Sequence, residues 1–385
     1  QVDLLSQVSR MTENTVTPPA RAPWLFLALN FFLSRLFLVA VAGLSILMFK
    51  KGDFYTPPGS ILDWFKQWDS GWYLDIAQRG YTYVPGKECS VVFFPLYPVL
   101  LGWLTFGGAV DGRVVGYLIS NGSLFFGIVV LWKLTVLEMR DESCAKHVVQ
   151  LLLFNPMTVF YSSIYTESLY LLCLVSTLYF ARTERWLLAG ICAYAAALSR
   201  VVGLLLVVPL ACEYFLQNHP HLTWRKPNVW RALVCFAAPA LGFLTYVGYL
   251  GRAFGEPLAF LKAEAVWGRK LVWPWVPFFH LHRYDRPYDI WFVCFAIVAA
   301  VLFLVAVRWR LRPTYLLVLA IFTTICLSSS RLESLPRYLS ILFPFYFVLA
   351  LMTKKWPNLT GPLFMVFGGL QVMTTILFVN GYWLT

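Results

Sequence analysis

Charged side chains are rare in this chain, and a few of them sit where chemistry would need them. Asp69 lies in QWDSGWYLDIAQRGY (residues 67–81), an acid among aromatic residues with Ser70 and Gly71 directly after it. A carboxylate held beside an apolar surface can take a proton from a substrate hydroxyl. Burial raises its pKa, and a nearby cation restrains that rise. A helix N-cap or a solvated surface acid uses the same residue type, and spacing alone leaves these roles open. Asp63 and Asp75 are weaker candidates; on a continuous helix Asp75, six positions on, points away from Asp69. Glu167 follows FNPMTVFYSSIYT and opens an apolar run. There it suits loop amides, a bound sugar or the positive end of a helix dipole. Arg200, in LSRVVG, separates two half-length apolar runs, and Arg337 lies in SSSRLESLPRYLSILFP near Arg331 and Glu333. A guanidinium fork matches phosphate oxygens, so Arg200, Arg337 and Arg331 are candidates for a lipid phosphate. Salt bridges, Arg331 to Glu333 or Arg337 to Glu167, are the alternative. Arg35 sits inside the first apolar run and must be paired or snorkel.

These residues are presented by a membrane scaffold. The chain has 385 residues, of which 59% are hydrophobic and 13% charged, against about 25% charged in soluble domains. Apolar runs fall at approximately 24–49, 113–137, 147–161, 165–181, 187–199, 202–216, 230–250, 288–307, 313–330, 337–352 and 359–384. They predict an all-α polytopic membrane protein with about eleven transmembrane helices, with 93–107 re-entrant or interfacial. A barrel would show short alternating segments instead. The polar stretch 1–23 reads as a cytoplasmic tail leading into an uncleaved first span.

Lys/Arg placement sets the orientation. Arg182/Arg185, Arg225/Lys226/Arg231, Arg308/Arg310/Arg312, Lys354/Lys355 and the segment from Lys133 to Lys146 are mutually consistent as cytoplasmic. A single transmembrane domain then carries a first noncytoplasmic loop at 50–112 and a second long one at 251–287. Lys50/Lys51 oppose this scheme, at the start of a long loop where the rule weakens. Residues 59–79 read as short amphipathic helices on the membrane surface. Trp64, Trp68 and Trp72 at four-residue spacing share one helical face. Residues 257–287 repeat the aromatic and basic pattern. The net charge of +12 follows from loop topology and lipid phosphates, and no nucleic acid is implied. The eight cysteines form no CxxC or Cys/His cluster, so neither a disulfide framework nor a zinc site is indicated. His280 and His282, two apart in a loop, are poor metal ligands. Two glycosylation sequons, at Asn121 and Asn358, lie in or near spans. No internal repeat or inverted pair of broken helices is visible, which weakens a transporter reading.

The string QWDSGWYLDIAQRGY followed by FFPLYPVL resembles the first luminal loop of the PIG-V family, the mannosyltransferases of GPI-anchor assembly, which also has shorter bacterial relatives. YTESLYLL, ALSRVVG and LPRYLSILFPFYFVLA match further family positions in the right order, so the resemblance covers roughly residues 30–350. It implies a GT-C glycosyltransferase fold taking a sugar from a polyprenyl-phosphate carrier on the noncytoplasmic side, with inversion. Carried over, Asp69 becomes the general base, Arg200 and Arg337 the donor-phosphate residues, and Glu167 an acceptor or sugar contact. Two departures leave the acceptor unassigned. Ser-Gly-Trp-Tyr follows Trp-Asp where relatives often carry a His, and ALSRVVG lacks the polar segment that often follows the Arg. The length suggests a bacterial relative in the plasma membrane, and a eukaryotic chain would sit in the endoplasmic reticulum. A bacterial relative makes GPI an unexpected substrate.

On this reading Trp72, Tyr73 and Tyr81 stack on sugar, Asp75 assists, and the acceptor is a glycan, glycolipid or protein hydroxyl at the membrane. No cofactor is implied, although a weakly held divalent ion stays compatible with the loop. Two rival readings are a flippase for polyprenyl-linked lipids and a non-catalytic subunit of a glycosylation complex.

Overall fold

The computed structural model describes residues 22–218, 228–279, 289–382 and 384. Most of the expected N-terminal tail, His280 and His282, and the end of the second long loop lie outside these residues. Every apolar run within the described residues becomes a helix or a broken pair of helices. Six stretches are long and apolar enough to cross a membrane: Trp24–Met48, Gly112–Met139, Val201–Asn218, Val229–Phe254, Ile290–Arg308 and Pro357–Val379. Two more apolar helices, Trp186–Ser199 and Pro313–Leu327, are shorter. The other runs are interrupted where the sequence forces it. The run 147–161 ends a helix at Leu153, because Pro156 cannot continue the amide ladder. The run 337–352 is divided before Pro344, and Thr-Glu at 166–167 starts the next helix after a turn.

In chain order the helices are α1 (Trp24–Met48), α2 (Asp69–Arg79), α3 (Leu96–Leu104), α4 (Gly112–Met139), α5 (Glu142–Leu153), α6 (Thr158–Ser162), α7 (Glu167–Arg182) and α8 (Trp186–Ser199). They continue as α9 (Val207–Asn218), α10 (Asn228–Phe254), α11 (Ala259–Val266), α12 (Val276–Phe279), α13 (Asp289–Arg308), α14 (Pro313–Leu327), α15 (Leu335–Ser340), α16 (Pro344–Lys355) and α17 (Thr360–Val379). The core centres on α7, which is buried along nearly its whole length between α4 and α8. α8 in turn lies against α10. Their approach is close because Gly242 faces α8, where an added Cβ would stand 2.6 Å from the Tyr194 carbonyl oxygen. The outer helices turn apolar side chains such as Leu25, Phe32, Leu36 and Leu47 outward, as expected where lipid is the solvent.

α7 has different chemistry at its two ends. At its C-terminus Arg182 pairs with Glu138 of α4 at 2.6 Å, and Arg312 pairs with Glu213 of α9 at 2.8 Å. Tyr315 donates to Glu138 and Thr314 to Glu213. Nearby, Lys354 pairs with Asp141. These are residues assigned to the cytoplasmic side from charge alone, and the fold gathers them at one end. At the N-terminus of α7, roughly 24 Å away at 1.5 Å per residue over 16 residues, lies the second charged cluster.

The first loop differs from its expected form. Residues 59–79 do hold short helices, but no unbroken one carries all three tryptophans. A single 3₁₀ turn, Ile61–Asp63, precedes α2, and Trp68 between them has φ 42° and ψ −108°. The chain direction changes there, so the three tryptophans do not share a face. Trp64 packs near Gly43 of α1, Trp68 sets its ring against Phe378 of α17 at 5.0 Å, and Trp72 turns to Phe93 and Trp267. Four-residue spacing aligns side chains only along an unbroken helix.

Candidate active site

Asp69 is the first residue of α2. Its position follows from the strained residue before it, since a non-glycine side chain at positive φ persists only when its surroundings hold it there. Two constraints do so. The Trp68 ring is wedged on Phe378. The Tyr165 hydroxyl donates to the Gln67 carbonyl at 3.1 Å and accepts from the Asp69 amide at 3.3 Å. Tyr165, in the turn before α7, thus splints the backbone on both sides of Trp68.

The Asp69 carboxylate, 25% exposed, accepts from Arg337 Nη1 through Oδ2 at 3.0 Å. Arg337 on α15 is 6% exposed and places its Nε 2.6 Å from Glu167 Oε1. That contact is an ion pair, because the N–H is not aligned for a hydrogen bond. Arg200 donates to the same Glu167 oxygen and to Thr166 Oγ1 at 2.9 Å. It stands at the end of α8, where the 3₁₀ turn Val201–Leu206 folds back, and a Cβ on Gly203 would collide with the Ala196 backbone. Glu167 is wholly buried. Its geometry is that of an anchor for two cations rather than of a sugar contact, since no carboxylate surface faces out. Burying these charges costs several kcal/mol each unless they are paired, and Glu167 with Asp69 supplies that pairing. The Arg337 to Glu167 salt bridge foreseen as an alternative is therefore present, and it builds the site.

The guanidiniums gather around aromatic rings. Arg337 lies 4.9 Å from the Tyr165 centroid and 5.1 Å from that of Tyr338, and Arg200 lies 4.9 Å from the Tyr338 centroid. A third cation, Arg269, donates to the Tyr338 hydroxyl and to Ser334 Oγ, each at 3.3 Å. Arg269 comes from the second long loop, whose segment 270–272 pairs its backbone with 328–330: Val272 N–H donates to Ser328 and Ser330 N–H to Lys270. The two loops are thus fastened together over the site. The three guanidiniums thus gather around the Tyr338 side chain, a local concentration of positive charge beside Asp69 that the aromatic faces help to stabilise.

The remaining candidates fall around this centre. Trp72 is half-buried, stacked on Phe93 at 5.8 Å and edge-on to Trp267 at 5.6 Å. Tyr73 is buried against Phe93 and Tyr97, each 5.1 Å away. Burial raises its hydroxyl pKa well above the usual range, and Asp69 adds to the rise. Tyr81 points elsewhere, donating to the Phe93 carbonyl at 2.7 Å and packing on Tyr246 and Tyr249. Asp75 is a surface acid 3.3 Å from Arg79, the direction its six-residue offset required. Arg331 is half-exposed, 3.9 Å from Glu333, and its guanidinium lies against Gly268. Asp63 pairs with Arg113 at 2.9 Å. Arg35 is satisfied by neutral acceptors, donating to Ser162 and Thr158, each at 2.7 Å, and to the Leu153 carbonyl at 3.1 Å. Among the described residues no group of His, Cys, Asp or Glu is placed to hold a metal ion.

Sequence reasoning missed Tyr165, Arg269, Tyr338 and Glu264. Glu264 on α11 sits within electrostatic range of both Asp69 and Arg269. Its carboxyl pKa is raised by burial and by Asp69, with Arg269 opposing. A signal existed, because the second loop was already assigned to the same side and AFLKAEAVWGR carries one acid three residues before its tryptophan.

The fold resembles the crystal structure of ArnT from Cupriavidus metallidurans bound to undecaprenyl phosphate, with a TM-score of 0.55, 13% identity, and 95% of this chain and 77% of that one covered. The protein thus has the GT-C-like fold of an all-helical membrane protein. Residues 59–247, just short of half the chain, match the family model Mannosyltransferase (PIG-V). Over that stretch the chain is similar to the PIG-V mannosyltransferase family. Two curated proteins are similar to it: GPI mannosyltransferase 2 of Drosophila melanogaster, 28% identical over 50% of this chain and 45% of that protein, and its Drosophila pseudoobscura pseudoobscura counterpart, 30% identical over 51% and 46%. The match spans about half the length of these relatives. Because they are insect proteins, they lend no support to the expected bacterial origin.

Proposed function

We propose that this protein is a membrane mannosyltransferase that moves a mannosyl residue from a polyprenyl-phosphate donor to an acceptor hydroxyl, with inversion, at the noncytoplasmic end of the helices. The acceptor belongs to a glycan, glycolipid or protein at the membrane. Asp69 bonded to Arg337, with Arg200 sharing Glu167 behind them, is the observation that carries this reading. A carboxylate beside clustered guanidiniums supplies the two groups that proton removal and phosphate departure need. The acceptor O–H gives its proton to Asp69 as the oxygen attacks the anomeric carbon. The bond from that carbon to the phosphate oxygen breaks, and the lipid phosphate leaves with the electron pair. Arg337, Arg200 and Arg269 stabilise the leaving phosphate, a contribution that grows as its charge develops. Arg337 serves both halves, holding Asp69 in place and adding positive charge beside the departing phosphate.

The test is purified protein in liposomes with polyprenyl-phosphate [³H]mannose and a membrane glycolipid and glycoprotein extract as acceptor. The proposal expects labelled product bearing a new glycosidic bond, together with free polyprenyl phosphate. Label that crosses the bilayer with its phosphodiester intact would replace it with the flippase reading. Recovery of unchanged donor on its original side would leave the non-catalytic subunit.

A further inference from the structure

Asp69 and Arg337 stand on separate elements, and one ring touches the supports of both. Phe378, at the end of α17, is wholly buried. Besides Trp68 at 5.0 Å it meets Phe160 at 5.1 Å and Tyr165 at 6.3 Å, each edge to face. The Arg337 guanidinium lies on those same two rings, 5.4 Å from the Phe160 centroid and 4.9 Å from that of Tyr165. Trp68 directly precedes Asp69. Phe378 therefore braces the backbone that carries Asp69 and the rings that carry Arg337.

The end of α17 is itself fixed. Asn380, which follows its last turn, is fully buried. Its Oδ1 accepts from Lys51 Nζ at 2.8 Å, and its Nδ2 donates to Ser45 Oγ at 3.2 Å. The Gly52 amide donates to the Asn380 carbonyl at 2.7 Å, and the Phe54 amide to that of Gly381 at 3.2 Å. Gly381 has φ 75°, and a Cβ there would collide with the Tyr55 backbone, so the close approach requires glycine. Lys51 also donates to the Ile46 carbonyl, satisfying an end of α1. One of the two lysines that oppose the charge-based orientation is thus taken up in joining α1 to α17.

We propose that the end of α17 sets Asp69 against Arg337, with Phe378 as the positioning residue and Asn380 as the latch that holds its helix end to α1 and the first loop. This element lies beyond residues 59–247, the stretch matched by the family model. Its effect on rate rests on the glycosyl-transfer reading; the geometry it holds does not. The Trp68 backbone keeps its positive φ only while its surroundings hold it there. Leucine at 378 keeps an apolar filling but loses the ring contacts to Trp68, Phe160 and Tyr165. A displacement of about 1 Å at a reacting group is enough to cost on the order of a hundredfold in rate.

The test takes two readouts on the full-length protein: amide hydrogen exchange by mass spectrometry, and steady-state transfer from polyprenyl-phosphate mannose. In Phe378→Leu the amides of residues 67–71 should exchange faster by on the order of tenfold, while segments around Arg182 and Arg312 exchange as in wild type. Its kcat should fall roughly tenfold to a hundredfold with the donor KM unchanged. Combined with Trp68→Ala, Phe378→Leu should slow transfer little beyond Trp68→Ala alone, because one acts through the other. Asn380→Ala keeps the Phe378 ring and should give a smaller loss of the same kind, so it remains informative if the Trp68 variant folds poorly. Unchanged exchange at 67–71 in Phe378→Leu, or losses that multiply in the double variant, overturn the proposal and leave the transferase reading intact. Faster exchange in the variant, with a wild type that transfers no mannose, upholds the positioning contact and overturns the transferase reading.

Discussion

Replacing Arg337 by lysine keeps the charge and removes the fork. Arg337 reaches Asp69 at 3.0 Å with Nη1 and Glu167 at 2.6 Å with Nε, on two edges of one planar group. An ammonium at the end of a flexible stem can stay on only one of them. It should remain on Glu167, which is fully buried and has more to lose from an unpaired neighbour. Asp69 then loses a charge-assisted hydrogen bond of about 1.5–3 kcal/mol, and its carboxylate is free to turn. At about 1.4 kcal/mol per factor of ten, turnover should fall roughly tenfold to a hundredfold. Arg200 still neutralises Glu167, so the variant should fold with a near-normal unfolding midpoint in detergent. Arg337→Ala also strips one counter-charge from a buried carboxylate and should lose about 3–5 kcal/mol of stability. Steady-state transfer kinetics with thermal unfolding of the same samples decide the matter. A lysine variant with wild-type turnover and normal stability would refute the claim that the fork holds Asp69 for catalysis.

Tyr165→Phe removes the hydroxyl that bridges Gln67 and the Asp69 amide. Two neutral hydrogen bonds of about 0.5–1.5 kcal/mol each are lost, so kcat should drop several-fold to tenfold while KM for the donor stays unchanged. Glu264→Gln should be at least as stable as wild type at neutral pH. The folded-state pKa of Glu264 is raised, so its ionised form opposes folding. Unfolding midpoints of wild type and variant should converge as pH falls below the ordinary glutamate value of about 4.3, where the proton is bound in both states. Arg312→Met removes the nearest counter-charge of the buried Glu213 carboxylate at the far end of the helices and leaves it Thr314, Gln217 and the more distant Arg182. It should cost about 3–5 kcal/mol of stability with little change in donor KM for the folded fraction.

The sequence makes the membrane scaffold readable because lipid demands long apolar helices, and six described stretches are long and apolar enough to cross a membrane, while the remaining runs form shorter or broken helices. It places Asp69, Glu167, Arg200 and Arg337 on a common side through Lys/Arg asymmetry alone, and the fold joins them. It does not reveal which acid meets which cation, since Arg337 and Asp69 are 268 residues apart and pairing at that distance leaves no local pattern. The tryptophan face was misread for the opposite reason. Its periodicity is real in the sequence, but Tyr165 and Phe378, both distant in the chain, hold Trp68 in a conformation that breaks the helix. Glu264 and Arg269 were hidden because a short surface helix with one acid and one arginine looks like any solvated segment until its partner loop closes on it.

The most direct measurement is single-turnover transfer of mannose from polyprenyl phosphate by Asp69→Asn beside wild type, with donor affinity determined separately. Asparagine keeps the shape and a hydrogen bond to Arg337 but cannot take the proton. The account predicts turnover lowered by about 10²–10⁴-fold, with donor affinity within a few-fold of wild type. An Asp69→Asn protein that transfers mannose at the wild-type rate would contradict it.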